Sequence, residues 1–215
     1  MRLVVFDLDG TLVDSLQDLA ESANELLSEC GAPRLPQETV GSLVGDGAAT
    51  LVAKAFVTAG MPQPPEALER FLNLYNGRLL RFTKPYQGVR ELLDTLSRQL
   101  KVAVLTNKPL ASTRFILDGL DLSRFFGPND VIGGDGPFPR KPDPSGLLHL
   151  VSQADVDPGE TLLVGDSVYD WRTAVAARTR GALARYGFGF QTLPLDELDA
   201  SAVLLDHPLD VLKAL

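Results

Sequence analysis

The sequence contains little cysteine and no long apolar run. Cys30 is the single cysteine among 215 residues, so the chain cannot form an internal disulfide and fits a reducing compartment. No stretch approaches the roughly 18 apolar residues that a membrane helix needs, and the first residues lack the pattern of a secretory signal. We therefore expect a cytoplasmic protein that has no membrane partner.

Positive charge is also scarce. The chain has 20 lysines and arginines against 28 aspartates and glutamates, which gives a formal net charge of −8. This balance argues against non-specific binding of nucleic acid, and it means that an anionic substrate needs a local positive site. The hydrophobic fraction of 45% is that of an ordinary globular protein.

Short apolar runs predict a parallel α/β sheet. The runs do not alternate between apolar and polar residues, as is typical of strands that are covered on both faces. The predicted strands are 3–6, 102–106, 130–134, 161–165 and 202–205, and the predicted helices between them are 89–100, 109–120, 142–154 and 168–181. Alternating strands and helices predict a Rossmann-like sheet whose strand ends face a common crevice.

Residues 15–84 interrupt this alternation, because their patterns are helical only. Predicted helices cover 15–30, 48–60 and 64–82, and prolines separate or end them. We therefore expect an all-helical cap at 15–84, inserted after the first strand of an α/β core that comprises 1–14 and 85–215. The sequence leaves open whether the protein is a monomer or a homodimer.

The first predicted strand leads into two acidic residues, in "VVFDLDGTL". Asp7 and Asp9 lie two residues apart, and two close carboxylates repel each other unless positive charge lies near them. A divalent metal, Lys141 and backbone N–H groups are the candidates for that neutralisation. Because carboxylates are hard oxygen ligands, the pattern favours Mg²⁺ as the metal.

Polar residues follow the other predicted strands too. Thr106 and Asn107 end one strand in "LTNK", Asp166 and Asp170 follow another in "GDSVYD", and Lys141 precedes a helix in "RKPDP". Such a set suits phosphoryl transfer: one aspartate attacks phosphorus, a second acid transfers a proton, and the metal and lysine neutralise charge. Lys108, in contrast, is expected to face solvent.

In this order, "DLDGTL", "LTNK", "RKPDP" and "GDSVYD" resemble the four motifs of the haloacid dehalogenase-like hydrolase superfamily. The helical insert resembles the mobile cap of that family. The resemblance implies that Asp7 is the nucleophile and a Mg²⁺ ligand. It also implies that Asp9 is the acid/base, with its backbone carbonyl on the metal. An acid at this second position implies a phosphatase or phosphomutase and not a dehalogenase.

The resemblance assigns roles to the other motif residues as well. It implies that Thr106 and Lys141 bind phosphate, that Asp166 is a metal ligand, and that Asp170 supports the site from behind the ligands. We add the Asn107 amide to the expected phosphate-binding groups.

The cap is expected to set substrate specificity, because the core residues act only on phosphate. Gly45, Asp46 and Gly47 precede a predicted helix, and the free N–H groups of such a turn can receive an anion. This stretch, "VGDGAATLV", resembles the cap of phosphoglycolate phosphatases, so 2-phosphoglycolate is the expected small phosphorylated metabolite.

Several alternatives remain open at this point. The substrate of a phosphatase could instead be pyrophosphate, a nucleotide or a sugar phosphate. A phosphomutase of the β-phosphoglucomutase type would use the same core residues. A non-catalytic binding module is disfavoured, because every catalytic position holds a chemically competent residue.

Overall fold

A six-stranded parallel sheet forms the centre of the protein, and the computed structural model describes residues 1–215. All neighbouring strands are parallel. In spatial order they are β5 (Val131–Ile132), β4 (Lys101–Leu105), β1 (Leu3–Phe6), β6 (Thr161–Gly165), β7 (Arg180–Ala184) and β8 (Val203–Leu205). The predicted Rossmann-like α/β fold is thereby confirmed.

Helices cover both faces of this sheet. They are α5 (Val89–Ser97), α6 (Leu110–Gly119), α7 (Ser145–Ala154), α8 (Val168–Ala177) and α9 (Val211–Ala214). Successive residues of β1 point to opposite faces, so Val4 and Phe6 join the apolar cluster that includes α5 and α6. Leu3 and Val5 join the second cluster, with α7 and α8. No helix combines the length and the hydropathy that crossing a membrane requires.

Four further helices form one contiguous segment after β1. They are α1 (Leu16–Glu29), α2 (Gln37–Ser42), α3 (Ala48–Thr58) and α4 (Ala67–Asn76). A short antiparallel pair joins the two ends of this segment: β2 (Val13–Asp14) pairs with β3 (Lys84–Pro85). The chain therefore leaves the sheet and returns to it at neighbouring points.

A buried carboxylate reinforces this junction. Asp18, at the start of α1, is fully buried. Its Oδ2 accepts hydrogen bonds from the backbone N–H groups of Phe82 and Thr83, at 2.9 and 2.8 Å, and from the Thr83 hydroxyl at 2.7 Å. Hydrogen bonds to a charged group are among the stronger ones, so Asp18 ties the returning chain to the outgoing one.

Several sequence-based element boundaries were wrong. Strand β7 and helix α2 were not predicted, and the helix predicted at 64–82 spans only Ala67–Asn76. The helix predicted at 168–181 ends at Ala177, because Arg178 adopts a left-handed conformation with φ of 56°. Glycine at 181 then lets Trp171 pack against β7, since a Cβ there would lie 2.8 Å from the indole ring.

Candidate active site

Three neighbouring strands end in polar residues at one edge of the sheet. Asp7 follows β1, Thr106 follows β4 and Asp166 follows β6. Because β4, β1 and β6 are adjacent and parallel, their carboxyl ends deliver these side chains to a single location. The sequence order of the motifs thus becomes a spatial cluster, as the strand pattern predicts.

Three buried carboxylates meet at this edge. Asp7, Asp166 and Asp170 each place one oxygen within 4.8 Å of the others. Asp166 packs directly on Gly10, where a Cβ would lie 1.8 Å from its Oδ2 and where φ is +78°. Only glycine has no Cβ to clash with Asp166 and also adopts a positive φ without strain, which explains the glycine of "DLDG" after β1.

Lys141 supplies the nearest positive charge. Its Nζ lies 2.9 Å from Asp7 Oδ1 and 2.5 Å from Asp170 Oδ1. The contact with Asp7 is an ion pair without directed hydrogen-bond geometry, since Asp7 Oδ1 is buried and has no hydrogen-bond partner. Burial alone would lower the pKa of Lys141, but the charges of Asp170 and Asp7 raise it above its usual range.

A single lysine does not neutralise three acids. Burial, partly opposed by Lys141, raises the pKa of Asp7 to about 6. Burial and the charges of Asp7 and Asp170 raise the pKa of Asp166 well above its usual range. The backbone carbonyl of Asp9, next to this cluster in sequence, accepts no hydrogen bond within the protein. Unsatisfied oxygens at a buried, electron-rich point fit a hard divalent cation.

Asp170 differs from the other two acids because both of its oxygens are engaged. Oδ1 contacts Lys141, and Oδ2 accepts hydrogen bonds from the backbone N–H and the hydroxyl of Ser167, at 3.1 and 2.6 Å. The residue lies in the first turn of α8, where a negative charge interacts favourably with the positive end of the helix dipole. Its geometry suits orientation of Lys141 better than direct metal ligation.

Asn107 holds two loops together through its side chain. Its Oδ1 accepts a hydrogen bond from the backbone N–H of Lys141 at 2.9 Å, and its Nδ2 donates to the Lys141 carbonyl at 3.0 Å. Nδ2 also donates to the carbonyl of Gly45 at 2.8 Å. The amide is therefore fully used within the protein, so only the backbone N–H of Asn107 is left to bind an anion.

Free backbone donors follow the ends of the adjacent strands β1 and β4. The N–H groups of Leu8, Asp9 and Asn107 make no hydrogen bond within the protein. The Thr106 hydroxyl is buried and lies on the same cavity wall as Asp7 and Asp9. Because unpaired buried N–H groups are rare, donors of this kind suit the oxygens of a bound anion such as phosphate.

The expectation that Lys108 faces solvent was wrong. Its side chain is only 4% exposed, and its Nζ lies 2.8 Å from Asp9 Oδ2. The same ammonium donates to the hydroxyl of Tyr75 on α4 at 2.7 Å. Tyr75 lies 33 residues earlier in the chain, so a sequence pattern around Lys108 contains no sign of this contact.

The glycines of the helical segment face the cavity, whereas the acid between them does not. Gly45 and Gly47 line the cavity, at φ of +126° and +84°. Asp46 Oδ2 instead accepts a hydrogen bond from the Thr50 hydroxyl at 3.3 Å, in the first turn of α3. The arrangement removes the conflict between the Asp46 carboxylate and an anionic ligand.

Sequence reasoning missed one loop of the site, "YGFGF" after β7. The backbone N–H of Gly189 donates to Asp166 Oδ2 at 2.8 Å, and Phe188 lines the cavity. Gly187 lies against the carbonyl of Gly10, where a Cβ would come within 2.3 Å of the oxygen. The two glycines were the available signal, but without strand β7 their position in the fold was unknown.

The cavity between the sheet edge and the helical segment has a volume of about 650 Å³, part of it open to solvent. Asp7, Asp9, Thr106 and Asp166 lie on its polar wall. Its apolar wall consists largely of residues from the helical segment: Leu19, Val44, Ala48, Leu51, Phe71 and Leu72. The reacting groups of the sheet are therefore covered by side chains that can select a ligand.

Comparison with known proteins agrees with this geometry. The model of the haloacid dehalogenase-like hydrolase family matches residues 4–184. Because that match includes most of the chain, the protein belongs to this family of hydrolases.

Within this family, the chain is similar to proteins that are named phosphoglycolate phosphatases. The chain is 38% identical to a phosphoglycolate phosphatase of Rhodospirillum rubrum, over 95% of this chain and 87% of the relative. It is 36% identical to phosphoglycolate phosphatase 1 of Pseudomonas aeruginosa, over 98% of this chain and 78% of the relative. A crystal structure described as a predicted phosphoglycolate phosphatase from Haemophilus somnus superposes with a TM-score of 0.89, at 29% identity, over 100% and 97% of the two chains.

Proposed function

We propose that the protein is a Mg²⁺-dependent phosphatase that hydrolyses a small phosphate monoester, 2-phosphoglycolate, through an aspartyl-phosphate intermediate. The observation that carries the proposal is the buried arrangement of Asp7, Asp166 and Lys141 beside free backbone N–H groups at the end of β1. The family of the chain and the substrates in the names of its relatives agree with it.

Asp7 is the proposed nucleophile. Its carboxylate lies at the end of β1 and lines the cavity, and Lys141 approaches it closely without fixing it by a hydrogen bond. The phosphate oxygens would receive hydrogen bonds from the N–H groups of Leu8, Asp9 and Asn107 and from the Thr106 hydroxyl. Donors fixed in the backbone stabilise charge in a transition state because they need no reorganisation.

Asp7, Asp166 and the backbone carbonyl of Asp9 are the proposed ligands of Mg²⁺. All three supply oxygens. Asp7 Oδ1 and the Asp9 carbonyl have no hydrogen-bond partner within the protein, and Asp166 accepts one hydrogen bond, from the Gly189 N–H to Oδ2. When bound, Mg²⁺ supplies positive charge that offsets the repulsion between the carboxylates and a phosphate dianion. Asp170 would remain behind the ligands and hold Lys141 in place.

Asp9 is the proposed acid/base. Its side chain lies in the cavity, two residues after the nucleophile. As an acid it would protonate the oxygen of the leaving alcohol. As a base it would then take a proton from the water that attacks phosphorus in the aspartyl-phosphate. Both steps need the carboxylate on the leaving-group side of the phosphate.

We further propose that residues 15–84 act as the cap domain and select the substrate. The junction at β2 and β3, together with Asp18, is the natural boundary of this segment. The N–H groups near Gly45 and Gly47 are candidates for the carboxylate of 2-phosphoglycolate. We also expect a cytoplasmic location and no nucleic-acid partner, in agreement with the net charge of −8.

The test is phosphate release by the purified protein with Mg²⁺ from a panel of phosphate esters. We expect 2-phosphoglycolate to give the highest kcat/KM, and we expect Asp7→Asn and excess EDTA each to abolish release. Lys54→Met is a suitable control, because this exposed lysine lies outside the cavity.

Three other results would change the proposal. Greater activity on a nucleotide, a sugar phosphate or pyrophosphate would overturn the substrate. Isomerisation of a sugar phosphate without net phosphate release would indicate a phosphomutase. Equal release by the wild type and Asp7→Asn would show that the activity comes from a contaminant.

A further inference from the structure

The ammonium group of Lys108 joins the proposed acid/base to the helical segment. Lys108 follows β4 and is buried, and its Nζ lies 2.8 and 3.1 Å from the two carboxylate oxygens of Asp9. It also donates to the Tyr75 hydroxyl at 2.7 Å. A second contact, from the Ser112 hydroxyl of α6 to Asn76 Oδ1 of α4 at 3.0 Å, lies close to the first in the chain.

Two roles are conceivable for a buried lysine in this cavity. Lys108 is the only lysine or arginine on the cavity wall, so it could bind an anionic group of the substrate. An ammonium group has three N–H donors, however, and here they face the two oxygens of Asp9 and the oxygen of Tyr75. No donor is left for a substrate, which favours a role directed at Asp9.

The contacts of Asp9 complete this picture. Besides Lys108, its Oδ1 accepts a hydrogen bond from the Ser15 hydroxyl at 2.6 Å. Oδ2 has Lys108 as its only partner, so it keeps an accepting position free for a proton that is transferred in the cavity. Two hydrogen bonds therefore fix Oδ1 of the carboxylate, whereas Oδ2 can still accept a proton.

We propose that Lys108 is a positioning residue that orients the Asp9 carboxylate for proton transfer, and that Tyr75 of the helical segment holds Lys108 in turn. This inference rests on the proposed phosphatase function. The inference makes the acid/base dependent on the helical segment, because Tyr75, which holds Lys108, lies on α4 of that segment. A displacement of about 1 Å in a reacting group can cost about 100-fold in rate.

The test compares Lys108→Met with the wild type on two substrates. The alcohol that leaves from 2-phosphoglycolate needs a proton, whereas the 4-nitrophenolate that leaves from 4-nitrophenyl phosphate does not. Since general acid catalysis contributes about 100-fold or more, kcat/KM for 2-phosphoglycolate should fall by about that factor. For 4-nitrophenyl phosphate it should fall less than about tenfold, and the loss on 2-phosphoglycolate should lie in kcat and not in KM.

A double-mutant cycle with Asp9→Asn shows whether Lys108 acts through Asp9. Lys108→Met should cause almost no further loss of kcat/KM in the Asp9→Asn background. Tyr75→Phe should show the substrate preference of Lys108→Met with a smaller loss. Lys54→Met should behave as the wild type, and thermal unfolding should confirm that each variant is folded.

Either of two results would overturn the inference. Equal losses on both substrates would show that Lys108 only supports the structure. A rise in KM confined to 2-phosphoglycolate, with additive effects in the cycle, would show that Lys108 binds the substrate carboxylate. If the wild type released no phosphate from either substrate, the proposed function itself would fail.

Discussion

Replacing Lys141 with methionine should destabilise the metal-free protein strongly. The lysine side chain is 2% exposed and lies against Asp7 and Asp170, with Asp166 beside them. Methionine fills a similar volume but leaves three buried carboxylates without a cationic partner. Removing one member of a buried ion pair typically costs about 3–5 kcal/mol, a large part of a total stability of about 5–15 kcal/mol.

The size of this destabilisation should depend on pH. The pKa of Asp7 is raised to about 6, so near pH 5 this carboxylate takes a proton and the loss of Lys141 costs less than at pH 8. Mg²⁺ at about 100 times its dissociation constant stabilises any form that binds it by about 2.7 kcal/mol, the wild type included, so the two proteins are compared in EDTA. In EDTA the destabilisation should therefore be larger at pH 8 than at pH 5.

Urea unfolding of the wild type and Lys141→Met in EDTA, at pH 5 and pH 8, measures this difference. Lys54→Met is the matched control, because it removes an exposed lysine and should change the free energy of unfolding by less than about 0.5 kcal/mol. A loss below about 1 kcal/mol for Lys141→Met at pH 8 in EDTA would refute the view that Lys141 offsets the buried acids. So would a loss that is larger at pH 5.

Three further predictions concern the same site and its junction. Gly187→Ala should cost about 1–3 kcal/mol in thermal unfolding, because the added Cβ would meet the Gly10 carbonyl, and it should weaken Mg²⁺ binding, because the Cβ would also meet Asp166. Gly159→Ala is the control and should be neutral, since its Cβ would meet nothing within 4 Å. Equal effects of the two substitutions would refute the packing argument. Asp18→Ala removes three hydrogen bonds around Thr83 and should cost on the order of 3 kcal/mol in urea unfolding, and a neutral result would contradict it. The affinity for Mg²⁺, measured by calorimetry, should fall by about tenfold or more per pH unit below about 6 as Asp7 takes a proton; a flat profile from pH 5 to 7 would exclude Asp7 as a ligand.

Strands whose signal is local could be predicted from the sequence. β1 and β6 were predicted with the bounds that the structure has, because each is a short apolar run buried on both faces. β7 could not be, since "RGALA" is rich in alanine and glycine and has little strand propensity. Its position depends on the packing of Trp171 against Gly181, a contact between separate elements.

The site residues also fall into those that a local sequence pattern could place and those that depend on contacts between distant parts of the chain. Positions at the ends of predicted strands, such as Asp7 and Asp166, could be placed near each other because parallel strands share one edge. The burial of Lys108 and the contact of Gly189 with Asp166 depend on where the helical segment and the loop after β7 lie. Such contacts join distant parts of the chain and have no local pattern.

The most direct test of the account is whether phosphate passes through Asp7. The protein would be mixed with Mg²⁺ and 2-phosphoglycolate, quenched with acid during turnover and reduced with borohydride, which converts an aspartyl-phosphate to homoserine. Mass spectrometry of the peptide that contains Asp7 should show this conversion at position 7 in the wild type and none in Asp7→Asn. Steady release of phosphate with no modification at position 7, or release that Asp7→Asn retains, would contradict the account.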